Sequence, residues 1–258
     1  NGLNSYNQEI AKLRIETFFT RSLKMIDMYS KDVKINNIVL VFDGDMIDGH
    51  LRAENLEVNS MSPLESVMSL STILKNCIDY LLNNSKYNIK VVCKLGNHGR
   101  DTDKIRHSTF YKHSYEWIMY HFIKQQFNTE RINFIIDTSY LTHLNVYDKV
   151  IRIHHGNNIG YGGGIGGLTI PLNKAINNWN RSIRADYDIL GHFHSYISSS
   201  NFTVNGSGIG YDTFANAIKA PFEPPTQSLL LFNSEVNRPY PINTPIYLIT
   251  KEEKKYWS

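Results

Sequence analysis

Cysteine is nearly missing from this chain: Cys77 and Cys93 are the two among 258 residues. They lie in separate apolar segments with no Cys-x-x-Cys spacing. That excludes a disulfide framework and a cysteine zinc site, and it reads as buried free thiols in a reducing compartment. No apolar run approaches the roughly 18 residues that a membrane-spanning helix requires, and no segment shows the basic start and apolar middle of a signal peptide. An excess of one charge is also lacking, since 27 Lys and Arg face 24 Asp and Glu for a net of +3. This mild surplus fits an ordinary solvated surface and is compatible with a polyanionic substrate, without the dense basic patches of a dedicated nucleic-acid binder. Neither an internal repeat nor a low-complexity linker divides the chain, so residues 1–258 read as a single domain. The hydrophobic share of 41% and charged share of 20% are those of a globular protein with a sizeable core, and they exclude a disordered one.

What is present alternates between helical and strand patterns. Ile10, Leu13, Phe18, Leu23 and Ile26 recur at near-helical spacing within residues 7–30, predicting a helix. Ile38 to Phe42 is a short continuous apolar run, the pattern of a buried parallel strand. Ser62-Pro63-Leu64-Glu65 combines a capping serine, a first-turn proline and a capping-box glutamate, so a helix should run from there to about Asn83. Ile89–Leu95 and Ile132–Ile136 read as strands, with an aromatic-rich helix over residues 108–127 between them. Leu141–Val146 and Lys149–His154 read as two strands turning at Tyr147-Asp148, followed by a helix over residues 170–183 and a short strand at Ile189-Leu190. Phe202–Val204, Ser228–Phe232 and Ile246–Ile249 read as strands separated by proline-rich stretches at 221–225 and 239–245. The expected architecture is α/β: two sheets face to face with helices outside, a simple doubly wound open sheet being the alternative.

Four of the buried strands end in glycine-punctuated clusters of side chains that can hold metals. Phe42 leads into Asp43-Gly44-Asp45-Met46-Ile47-Asp48, and Leu95 into Gly96-Asn97-His98-Gly99-Arg100-Asp101. Ile153 leads into His154-His155-Gly156, and Leu190 into Gly191-His192-Phe193-His194. Ligands collect at the carboxyl ends of strands in such sheets, so four clusters can converge on one site. Taken singly, each has an ordinary explanation: turn chemistry for Asp45 and Asp48, a sheet-edge pair for His154 and His155. Their joint occurrence fits one chemistry. A phosphate ester gains negative charge at its transition state, and two divalent ions about 3.5–4 Å apart can clamp the attacking and leaving oxygens. A mixed imidazole and carboxylate set suits manganese, with iron, zinc and magnesium as alternatives.

Gly44-Asp45-x-x-Asp48, Gly96-Asn97-His98, His155-Gly156 and Gly191-His192-x-His194 resemble the motifs of the calcineurin-like metallophosphoesterase superfamily, over roughly residues 36 to 206. The resemblance implies a four-layer α/β/β/α sandwich of two mixed sheets flanked by helices. It also implies that Asp45 bridges two metal ions, that Asn97, His155 and His192 complete one position, that His194 belongs to the other, and that His98 stabilises or protonates the leaving oxygen.

Two departures matter. The acidic residue that commonly follows Asn-His is replaced by Gly99, so the orienting role is expected to pass to Asp48 or Asp101. Arg100 is then either a fork for a phosphate oxygen or a solvated loop charge. The Asp-x-His motif that opens the family occurs nowhere before Asp45, and the chain opens on Asn1. The expectation is a domain lacking its first strand and motif, with Asp45 and His194 as the only ligands left at one metal position and Asp43 more a turn residue than a ligand.

Gly160 to Thr169 contains a formal G-x-G-x-x-G but no Lys-Ser/Thr, so it is not a P-loop and reads as a flexible loop. The function expected is metal-dependent phosphodiester hydrolysis, with DNA as the favoured substrate. That preference rests on a layout, including the Leu51–Ser62 insertion, which resembles nuclease-type and phage-encoded members of the superfamily. The alternatives are a small-molecule phosphatase or cyclic-nucleotide phosphodiesterase, and an inactive metal-deficient binding protein. A nucleic-acid partner, no membrane, a homodimer as an open option, and a cytoplasmic setting (that of the host if phage-encoded) complete the expectations.

Overall fold

A computed structural model describes residues 4–51, 56–57, 59–161, 167–217, 220–234 and 240–256. Half of the glycine-rich loop (residues 162–166) and part of the 51–62 insertion therefore lie outside the described residues.

Helix α1 (Gln8–Tyr29) starts where the Asn7 side chain accepts the Ile10 N–H at 2.9 Å. It buries Ile10, Phe19, Leu23 and Ile26. Strand β1 (Asn37–Asp43) leads to α2 (Pro63–Asn84), whose capping box forms as expected. The Ser62 hydroxyl accepts from the Glu65 N–H at 3.3 Å, and Glu65 accepts from the Ser62 N–H at 2.8 Å. Then come β2 (Asn88–Lys94), α3 (Tyr115–Gln125), β3 (Ile132–Ile136), β4 (Thr142–Val146), β5 (Lys149–Ile153), α4 (Thr169–Trp179) and β6 (Tyr187–Leu190). The chain continues through β7 (Ile197–Ser198), β8 (Phe202–Val204), the one-turn α5 (Thr213–Ala217), β9 (Thr226–Leu231) and β10 (Ile242–Tyr247).

Strands β1, β2 and β3 form a parallel sheet in that order. A five-stranded mixed sheet runs β4-β5-β6-β8-β7, with β5, β6 and β8 mutually parallel. Side-chain alternation stacks these sheets into layers. On the first sheet Leu40, Phe42, Ile89, Val91, Cys93 and Phe134 face α1, α2 and α3. Val41, Val92 and Ile135 point the other way and meet Leu144, Ile151, Ile153, Tyr187 and Ile189 of the second sheet. On that sheet's outer face Leu190, Phe202 and Val204 pack under Leu172 and Ile176 of α4. The result is the α/β/β/α sandwich. Its first sheet is wholly parallel, and β9 and β10 form a separate antiparallel hairpin that applies Leu230 and Phe232 to the inter-sheet cluster. A cavity of about 590 Å³ between the sheets is bordered by β1, Leu144, Ile151, Ile153 and the hairpin.

Local expectations fail where tertiary bonds intervene. The helix predicted over residues 108–127 is a 3-10 turn, Phe110–His113, then a break, then α3. Ser114 is extended there because it bridges Arg100, with the Tyr115 N–H donating to the Gly99 carbonyl at 2.8 Å. Helix α4 stops at Trp179, four residues early, where the Asn180 side chain accepts from the Ala185 N–H at 3.1 Å and from Arg152 at 3.0 Å. The 239–245 stretch does not separate strands as expected: β10 passes through Pro245, opposite Ser228. A two-stranded ladder leaves one side of each strand unpaired, so an absent N–H is tolerated.

Arg14 ties the start of the chain to its end. Its guanidinium meets Glu253 at 3.1 and 2.6 Å, with both side chains almost wholly buried, and it also donates to the Ile209 carbonyl at 2.6 Å. Removing one partner of a buried pair strands the other, a change that costs about 3–5 kcal/mol. Arg14→Ala should lose that much stability in urea unfolding, and a loss below about 1 kcal/mol would show that the pair does not hold these segments.

Candidate metal centre

Strands β1, β2, β5 and β6 all end at one edge of the sandwich, and their following loops touch. Gly44 lies at the centre of this meeting. Its backbone is left-handed at φ +85°, and a Cβ there would sit 2.5 Å from the Gly96 nitrogen and 2.8 Å from His155 Nδ1. Only a residue without a side chain lets the three loops close to that distance. Asp45, His192 and His194 also have positive φ, at 52°, 67° and 56°, a region that non-glycine residues enter at a cost.

Asp45, His155 and His192 each aim one ligand atom into a common space, all within 4.8 Å of one another. His155 Nδ1 donates to the Asp43 carbonyl at 2.6 Å, which fixes the tautomer and turns Nε2 inward. Nε2 then lies 2.9 Å from Asp45 Oδ2 and 3.2 Å from Asn97 Oδ1. Spacings near 3 Å are those of neighbouring ligands around one ion held by bonds of about 2.1 Å. His192 Nδ1 is buried with no hydrogen-bond partner among the described residues, and the buried Asp45 Oδ2 has the His155 ring as its neighbour. Buried polar atoms are rarely left unpartnered, and an orphaned imidazole nitrogen beside a carboxylate and an amide oxygen fits a divalent cation. Asp45, Asn97, His155 and His192 are the residues that could hold it.

Electrostatics reinforce the assignment. Burial alone would raise the Asp45 carboxyl, but His155 and His98 outweigh it and hold the group well below the usual carboxylate range. Burial opposes charge on His155 as well, yet Asp45 and Asp43 raise it to about 9. His192 is lowered to about 4, first by burial and then by His155, so its ring is neutral and able to ligate. Asp43, also buried, is raised well above its ordinary value by desolvation. It faces the inter-sheet cavity, which otherwise lies away from the cluster.

The other expected residues are placed as follows. The His98 N–H donates to Asp45 Oδ1 at 2.7 Å, and its Nδ1 is 3.3 Å from Asp48 Oδ2. Asp48 also accepts the His50 N–H at 2.9 Å. Asp101 turns away to His113 at 2.9 Å, so of the two candidate orienting carboxylates it is Asp48 that meets His98. His194 is outside the 4.8 Å group, though Asp45 acts on its ring. Arg100, half-exposed, directs its donors to carbonyls of its own loop, at Thr102 (2.8 Å), Asp103 (3.0 Å) and Asn97. His154 faces the opposite side of the second sheet from His155, 3.4 Å from Asp188 and edge-on to Trp179. Sequence reasoning missed Glu116, a wholly buried carboxylate raised to about 7 by desolvation and Asp45. It accepts N–H groups beside two of the ligands. Within Tyr115-Glu116-Trp117 nothing marks it, and the only signal is the acid missing at Gly99.

No family model and no curated protein matches the chain. Among solved structures, a Vps29 point variant from Entamoeba histolytica superposes at a TM-score of 0.39 with 16% identity, covering 81% of this chain and 98% of its own. Wild-type Vps29 complexed with zinc, from the same organism, gives 0.33 and 14% over 62% and 82%. Vacuolar Protein Sorting 29 from Cryptosporidium parvum gives 0.36 and 14% over 83% and 100%. These scores are too low to carry a functional argument. No helix among the described residues is long and apolar enough to cross a membrane.

His155 holds a proton at pH 7 in the metal-free protein, because its value lies near 9. A cation must displace that proton from Nε2. Zinc or manganese uptake at pH 7 should therefore release about one proton, and apparent affinity should climb about tenfold per pH unit up to about pH 9 and then level off. Calorimetry in buffers of different ionisation enthalpy measures the proton count; none released would remove His155 from the ligand set.

Proposed function

We propose that this chain is a metal-dependent phosphoesterase acting on phosphodiesters, with a DNA strand as the first substrate class to test. The observation that carries the reading is the convergence of Asp45, Asn97, His155 and His192 from four strand ends, with His98 at the rim against Asp48. A divalent ion in that set would supply positive charge to the phosphate oxygens and a more acidic water to attack phosphorus. The protein's own part is positional and protic. Asp48 beside Nδ1 orients the His98 ring, and as an imidazolium that ring would donate from Nε2–H to a departing oxygen. The His98 main chain, bonded to Asp45, fixes that imidazole relative to the ligand carboxylate. The preference for nucleic acid rests on the motif resemblance and the mild positive charge, and the two buried free thiols support a cytoplasmic setting.

A second reading is a metal-holding binding protein without turnover. It is favoured by the single metal-capable group among the described residues and by the inward turn of Arg100.

Linear DNA, a cyclic nucleotide and a phosphomonoester, each assayed with manganese, separate the substrate classes. Turnover of none, with metal bound, would favour the second reading. Asp45→Ala and His192→Ala should each abolish hydrolysis of a generic aryl phosphodiester while the fold persists. His98→Gln should keep metal binding and lower turnover by roughly 10²–10⁴; retained turnover in either set would sink the corresponding role.

A further inference from the structure

Glu116 is the second residue of α3, in a helix whose start is fixed to the loop after β2. The Arg100–Ser114 bridge and the bonds from Tyr115 N–H to Gly99 O (2.8 Å) and from Asp101 N–H to His113 O (3.0 Å) hold it there. From this point the side chain enters the space between two ligand-bearing loops. Oε1 accepts the Met46 N–H at 2.5 Å and Oε2 the Gly96 N–H at 2.7 Å. Met46 follows Asp45, and Gly96 precedes Asn97. One carboxylate thus ties together the backbone beside a carboxylate ligand and the backbone beside an amide ligand.

The volume it fills belongs to position 99. A Cβ on Gly99 would lie 2.8 Å from Glu116 Cγ and 3.0 Å from its Cδ. The bare residue at 99 and the acid at 116 are two halves of one packing arrangement: a side chain at the first position excludes the second. A wholly buried carboxylate is costly unless bonded to strong donors, and charge-assisted bonds from backbone N–H groups are among the strongest available. Since each oxygen serves a different loop, a neutral amide of the same shape keeps one acceptor and turns an NH₂ toward the other donor.

We infer that Glu116 is a positioning residue of the metal centre, setting the distance between Asp45 and Asn97 from helix α3 and doing so in the space that Gly99 leaves open. The inference rests on the metal-site reading above, and it extends that reading to a residue that touches neither cation nor substrate.

Calorimetry with zinc alone, and with manganese alone, tests it without any activity assay, with circular dichroism following the fold. Glu116→Gln should fold and bind 10–100-fold more weakly, the usual effect of losing an outer partner of a ligand. Gly99→Glu alone should also weaken binding, because it collides with Glu116. Joined with Glu116→Ala it should restore affinity to within about threefold, because the carboxylate returns from the neighbouring backbone position. A merely structural role predicts no such rescue. Unchanged affinity in Glu116→Gln, or a double variant no better than Glu116→Ala, would overturn the inference. Should Glu116→Gln fail to fold, the double variant decides: folded and binding supports the inference, unfolded or non-binding refutes it. If the unaltered chain binds neither metal, the metal-site reading itself fails and takes this inference with it.

Discussion

The bond from His155 Nδ1 to the Asp43 carbonyl, at 2.6 Å, is the contact on which the site depends. It joins the end of β5 to the end of β1, and therefore one sheet to the other, at the point where the sandwich opens. It also decides chemistry, because a ring that donates from Nδ1 to a carbonyl leaves Nε2 as the nitrogen a cation would take once its proton is displaced. Nε2 is the atom that stands near Asp45 and Asn97. A single backbone acceptor thus sets sheet-to-sheet registration and ligand identity together. Without it His155 could rotate, and the buried carboxylate of Asp45 would face an ill-defined cavity.

The sandwich makes that contact dependable. Val92 from one sheet and Ile151 and Ile153 from the other are almost dry, and each such side chain contributes roughly 1.5–3 kcal/mol when buried. This apolar layer fixes the spacing of the strands, and the strand ends inherit it. The outer face of the second sheet is braced differently: Arg152 holds Asp188 through two bonds of 2.7 and 3.0 Å and lies under Trp179. Rigidity behind the loops lets the loops themselves be irregular. Whether the resulting site turns over a phosphodiester or only holds an ion depends on what surrounds the cluster, and Arg100 and His194 are the residues in which the two readings differ.

Much of the scaffold and the site was legible because buried parallel strands announce themselves. Ile38–Phe42, Ile89–Leu95 and Ile132–Ile136 were readable as strands, and the polar clusters after the first two had to share an edge. The capping box at Ser62 was equally readable, since its signal is confined to four residues. The misreadings have a common cause. Ser114 breaks a helical pattern because it pairs with Arg100, and α4 stops early because Asn180 bonds Ala185 and Arg152, all distant in sequence or dependent on side-chain direction. Pro245 sits inside a strand because that strand is an edge. Glu116 was invisible for another reason: a lone acid in the first turn of a helix ordinarily faces water.

The left-handed backbone at Asp45, His192 and His194 has a consequence for stability. Each non-glycine residue held there costs on the order of 1 kcal/mol that glycine would not. A sequence selected for folding alone would drift toward glycine or asparagine at these three positions and become more robust by doing so. The three positions therefore trade stability for the side chains they carry: glycine there would give a sturdier chain with one carboxylate and two imidazoles fewer at the strand ends.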